Sequence, residues 1–282
     1  MDTLLPEAPL NYSALIKRSI LLYKASIKHV LFLSILLSVV AFIPRFLSLT
    51  IGQDIFYNLG PLDPHRFWLF VINIASLIFF ISILWRIHGI ICNAHEPLKE
   101  DLKIGIKKVV QVFIASIIQS TLVFGTTLLI FSILLVIKDY LIPSVHYLHI
   151  ALFSLIFIAQ FVLLLYIYSL FIFLTPIIAI ENKGIISALK RSVLLVWNHW
   201  WRTISVQTTP WICYLLVLVI MKSILNINIH IFFAERSHHS LLVTFCNMIM
   251  FALFIPWVAT LLLVQLKDLE LRKNIIENAY QY

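Results

Sequence analysis

Residues 148–180 read LHIALFSLIFIAQFVLLLYIYSLFIFLTPIIAI, 33 residues without one Asp, Glu, Lys or Arg. A helix needs about 20 apolar residues to cross a hydrocarbon core of about 30 Å. A soluble core helix would instead carry an apolar stripe and a polar face. This stretch has no polar face, so it reads as a membrane span.

The same texture recurs along the chain. Apolar spans are expected at about 30–51, 67–84, 109–137, 148–180, 203–220 and 241–266. The first must run past Pro44, because stopping at Ile43 would leave it about 21 Å long. Composition agrees: 61% of residues are hydrophobic and 12% charged, with a mean hydropathy of +1.00, against about 25% charge in soluble domains. The reading is therefore an all-α polytopic membrane protein. It has a short flexible leader over residues 1–9 and a single integral membrane domain over 10–282. No cleavable signal peptide is evident, and the first span is expected to stay as an anchor.

The net charge of +8 raises nucleic acid as a partner. The basic residues flank apolar spans, which is the pattern of topology and anionic headgroup contact instead. With the N-terminus in the cytoplasm, five of the 21 Lys and Arg fall outside, namely Arg45, Arg66, Lys138, Lys222 and Arg236. The other sixteen fall inside. Both termini are then cytoplasmic.

The inner segments have helical periodicity. Over 101–113, Leu102, Ile106, Val109, Val110 and Phe113 share an arc opposite Lys103 and Lys107. Over 184–201, Ile185, Ile186, Leu189, Val193, Val196 and Trp200 share a face opposite Lys190 and Arg191. The N-terminal segment sets Lys17, Lys24 and Lys28 apart from Leu15, Ile16, Ile20 and Ile27. These segments are expected as amphipathic helices in the cytoplasmic interface. The alternative is a span that begins early and protrudes. Lys17-Arg18-Ser19-Ile20-Leu21-Leu22 is echoed by Lys190-Arg191-Ser192-Val193-Leu194-Leu195, and Lys107-Lys108-Val109-Val110 fits the same register. Three repeats of interfacial helix plus transmembrane hairpin would produce this. So would positive-inside topology alone.

The chemistry-bearing residues are few. Lys17, Arg18, Lys107, Lys108, Lys190 and Arg191 are the expected headgroup contacts. Trp197, Trp200 and Trp201 are the expected interface anchors. Pro176, Glu181 and Gly184 read as a structural joint: proline removes a donor, the acid favours the next helix N-terminus, and glycine eases the turn. The intramembrane polar residues Asn73, Gln119, Gln160, Gln207 and Asn247 carry no charge, which argues against an ion-coupled pump. His230, His238, His239 and Glu235 make a poor metal site. Cys92, Cys213 and Cys246 form no C-x-x-C pair. No phosphate loop, G-x-S-x-G elbow or H-E-x-x-H motif occurs. No catalytic residue, metal or other cofactor is expected.

Residues 175–197, TPIIAIENKGIISALKRSVLLVW, resemble the signature of the YciC-like bacterial membrane proteins. They are also similar to the membrane domain attached to some glycerophosphoryl diester phosphodiesterases. The shared form is a span ending in proline, aliphatics and an acid, then a basic helix of the type A-x-x-R-S-x-x-L. Asp268-Leu269-Glu270-Leu271-Arg272 stands where those relatives end in a D-L-R-x-R-like motif, with Glu270 in place of the first arginine. The resemblance implies a bacterial inner-membrane location and a six-helix fold. It carries no phosphodiesterase activity, which belongs to a separate domain in the relatives.

Together these readings point to a non-enzymatic structural or accessory component of the envelope that binds anionic membrane lipid at its cytoplasmic face. A transporter or lipid-moving protein for a neutral or lipid-like substrate is the rival, and would need a cavity lined by Gln119, Gln160 and Asn247. A lipid-modifying enzyme would need Glu181, His199 and Asp268 brought together.

Overall fold

The computed structural model describes residues 4–51, 65–94, 97–141, 146–225 and 241–279. Helix follows helix: α1 (Tyr12–Ile51), α2 (His65–Ile91), α3 (Leu98–Leu141), α4 (His146–Leu170), α5 (Leu174–Ile180), α6 (Ile185–Val196), α7 (Trp200–Leu225) and α8 (Leu241–Ala279). A 3-10 turn, Trp197–His199, joins α6 to α7. No strand occurs among the described residues. Among the described residues, six stretches are long and apolar enough to cross a membrane, which makes the chain a multi-pass membrane protein. In hydrocarbon, a helix satisfies every backbone group within one segment.

The helix α8 is the hub. Two-thirds (67%) of its most apolar window is buried, against 6–33% for the other five spans. It lies along α1, whose Ser19, Ser26, Ser34 and Ser38 are all fully buried. Lipid tails are as apolar as leucine, so membrane helices gain most from close approach, and small residues permit it. Ser34 Oγ donates to the Ala252 carbonyl at 2.5 Å, and Trp257 Nε1 donates to Ser19 Oγ at 3.2 Å. The large residues exposed on α3 and α4, such as Phe124, Leu129, Leu155 and Phe157, are then the lipid-facing surface.

Prolines at 44, 210 and 256 sit inside α1, α7 and α8 without ending them. The break comes in the long fourth stretch. Here α4 stops at Leu170, residues 171–173 form a tight turn, and Pro176 lies in the first turn of α5. A missing N–H costs nothing there, because first-turn donors have no helical partner.

Two inner segments expected as separate interfacial helices are continuous with their spans. The basic segment at Lys17 is the lower part of the 40-residue α1, and that at Lys107 the lower part of the 44-residue α3. Only the third stands apart, as α6. Of the leader expected over residues 1–9, residues 4–9 are described: Pro6 is buried, and Leu4 and Leu5, with Leu10 beyond them, lie against the core formed by α1, α2 and α8.

Candidate functional site

Charge concentrates at one end of the bundle, where the chain enters α1, turns from α5 to α6, starts α7 and leaves the apolar part of α8. The carboxylate of Asp268 is fully buried there. It accepts from the Leu10 amide at 2.7 Å, from Arg202 Nη2 at 3.2 Å and from Arg272 Nε at 3.0 Å. Both guanidiniums also donate to the Leu10 carbonyl, at 2.6 and 2.5 Å. Leu10 is thus held through both its backbone polar atoms. Charged hydrogen bonds of this kind are about twice as strong as neutral ones.

Two residues further along α8, Glu270 pairs with Arg191, whose Nε lies 2.6 Å from Glu181 Oε2. Lys183 adds a 2.7 Å contact to Glu181, and Lys267 a 3.4 Å contact to Glu270. Glu270 is therefore a partner of Arg191, the second residue of the basic doublet Lys190-Arg191. A third pair, Arg86 with Asp101 at 2.9 Å, ties α2 to the first turn of α3. Asp101 is nearly fully buried.

The three basic doublets behave alike. Lys17, Lys107 and Lys190 are exposed. The second member turns inward each time. Arg18 donates to the Leu5 carbonyl, Lys108 is buried against Asn182, and Arg191 bridges Glu181 and Glu270. Of the six expected headgroup contacts, the first of each doublet is exposed, Arg18 and Arg191 are partly exposed, and Lys108 is buried. The reason lies in charge: the inner residues each face a carbonyl, amide or carboxylate from another segment.

The joint also differs in detail from its expectation. Gly184 is extended, with φ −65° and ψ 159°, and its missing Cβ would meet open space. The left-handed residue is Asn182, at φ 54°, a conformation that Asn tolerates. Glu181 acts through its ion pairs. Trp197 and Trp201 are exposed, while Trp200 packs inward, edge-on to Tyr166 at 5.4 Å.

His199 sits in the 3-10 turn, just before the expected span at 203–220. Burial lowers its imidazole below the ordinary 6.5; Arg272 and Arg202 push the same way and Asp268 opposes them. Glu181 and Asp268 thus belong to one charged end with His199 in electrostatic reach of the latter. Each carboxylate is taken up by guanidinium contacts.

Beside this end lies a cavity of about 380 Å³. It is walled by α2, α3, α4, α5, α7 and α8, and Gln119 and Gln207 contribute amides to it. Gln160 and Asn247 are absent from its lining. Gln207 donates to Gln265 Oε1 at 2.6 Å, and Gln265 donates on to the Thr203 carbonyl at 3.4 Å. Among the described residues, no group of three His, Cys, Asp or Glu side chains converges as for a metal. His230, Glu235, His238 and His239 lie outside the described residues.

The sequence alone missed Asp268 as the organising acid, Arg86–Asp101, and Gln265. Comparison with protein-family models, curated proteins and solved structures finds no match to the chain.

Proposed function

We propose that this protein is a non-enzymatic accessory component of a bacterial inner membrane, with both ends in the cytoplasm and an inner face that holds anionic lipid headgroups. The observation that carries this reading is the division of labour within the doublets. Lys17, Lys107 and Lys190 stay exposed, while Arg18, Lys108 and Arg191 are consumed in holding the bundle end together. A lysine kept out of a nearby ionic network, beside exposed Trp197 and Trp201, suits a headgroup region. The resemblance of residues 175–197 to the YciC-like proteins is a second support for the location. The absence of an enzymatic role is supported by the occupation of Glu181 and Asp268 by arginines.

The test is native mass spectrometry of the full chain with an anionic and a zwitterionic phospholipid. Each lysine near an anionic surface contributes about 1 kcal/mol. The combined variant K17Q/K107Q/K190Q is expected to lose roughly a hundredfold in anionic-lipid affinity, and the wild type to lose most of its preference in high salt. Retention that is independent of both salt and these lysines removes the reading.

A further inference from the structure

Neither the ionic belt nor the helix packing explains the cavity of about 380 Å³. Its place in the bilayer follows from the order of the helices. Gln119 lies ten residues past the expected start of its span at Val109, about 15 Å in. On the other helices, Thr175 lies near the inner end of the expected span 148–180, and Ile204 and Gln207 near the start of the expected span 203–220. The cavity therefore occupies the inner half of the hydrocarbon layer. Its rim includes the exposed Tyr168, Thr208 and Trp211, so it opens sideways between α4 and α7 toward lipid.

The lining combines apolar walls with polar groups that the protein leaves unused. The hydroxyl of Thr208 is spent on the Ile204 and Ser205 carbonyls. In contrast, the side chains of Gln119, Thr175 and Tyr168 make no hydrogen bond to any described residue. Polar groups left unpaired in hydrocarbon are costly, and three around one hollow call for a partner that both donates and accepts. Among the described residues, no Lys, Arg, His, Asp or Glu lines it. A phosphate or a carboxylate there would be an unpaired buried charge, which is more costly still. The volume falls in the usual range for small-molecule sites, about 300–1,000 Å³.

We infer that this cavity is a binding site for an uncharged single-chain amphiphile, one with a hydroxyl and a carbonyl at the end of a hydrocarbon chain. The chain lies along Leu165, Phe171, Ile172 and Leu262, and the polar end meets Gln119 and Thr175. This site uses none of the lysines of the headgroup reading and stands without it.

The test reconstitutes the full protein in vesicles of zwitterionic phospholipid doped with a monoacylglycerol carrying a diazirine in its chain. Photolysis and peptide mass spectrometry then map the label. Adducts are expected on residues 165–175 and 204–211. Unlabelled monoacylglycerol should displace the probe at least tenfold better than the fatty acid or lysophosphatidate of the same chain. Gln119→Leu has no protein bond to break, and is expected to weaken displacement roughly tenfold, the worth of one well-placed hydrogen bond. Thr175→Val supplies the same reading if Gln119→Leu does not fold. K17Q/K107Q/K190Q should label as the wild type does. Adducts spread equally over exposed Phe124, Leu129 and Phe157, equal displacement by the charged competitors, or full binding by both variants would each overturn the site.

Discussion

Asp268 is wholly buried, and it neutralises two guanidiniums while fixing the Leu10 amide. Changing it to Ala strands Arg202 and Arg272 at a bundle end where each is only about a quarter exposed. Breaking a buried pair typically costs 3–5 kcal/mol, and the remaining solvent access points to the lower figure, about 3 kcal/mol. Asp268→Ala is thus expected to lower the unfolding midpoint in detergent and to open residues 4–11 to protease, whereas Glu100→Ala, whose Lys103 pair is solvent-exposed, should do neither. The neighbouring His199 gives a pH signature. Its folded pKa lies below 6.5, so the unfolded chain binds more protons as pH falls through and below that value. Its contribution is present above the unfolded value and is lost as pH falls through the folded one. His199→Gln should flatten the stability–pH curve on the acid side of 6.5, measured as the difference in midpoint between variant and wild type.

Helix contacts are set by much smaller groups. At the crossing of α2 and α3, Ser82 Oγ donates to the Ile78 carbonyl at 2.9 Å and to the Asp101 carbonyl at 3.1 Å. A Cβ on Gly105 would collide with that same oxygen and lie 2.7 Å from the Ile78 carbonyl oxygen. Gly105→Ala is expected to cost about 1–3 kcal/mol as overpacking. Gly125→Ala meets open space and should be neutral or gain up to about 1 kcal/mol. Thermal melts of the two variants side by side check this. The contrast shows where sequence reading ended. The apolar length of each span was plain, because hydrocarbon thickness sets it. Gly105 and Gly125 look alike in the sequence, and only the partner helix separates them. The amphipathic wheel of 101–113 is the same whether the segment lies in the interface or extends a span, and α3 is continuous. At 184–201, Asn182 and the turn at 197–199 interrupt the chain, so α6 is separate. Among the candidate residues, the doublets were legible as basic, but the inward turn of Arg18, Lys108 and Arg191 was not. Their partners lie 13, 74, and 10 or 79 residues away.

At the scale of the molecule, the Leu10–Asp268 bond has a topological consequence. It joins the start of the first helix to the end of the last at one end of the bundle, so the chain between them crosses the membrane an even number of times. Six apolar stretches meet that condition; five or seven would not. Which side this end faces is a separate matter, decided by charge. Sixteen of the 21 basic residues fall on the side of Leu10 and Asp268 under the six-span reading, and the orientation proposed above rests on that bias through the positive-inside rule. Reporter fusions separate the two arguments. Tags before Leu10 and after Ala279 are expected to report the cytoplasm, and tags at Asn58 and Ser237, which lie outside the described residues, the exterior. Both terminal tags outside would reverse the charge argument while leaving the fold intact. Terminal tags on opposite sides would break the fold itself, because Leu10 could then never reach Asp268.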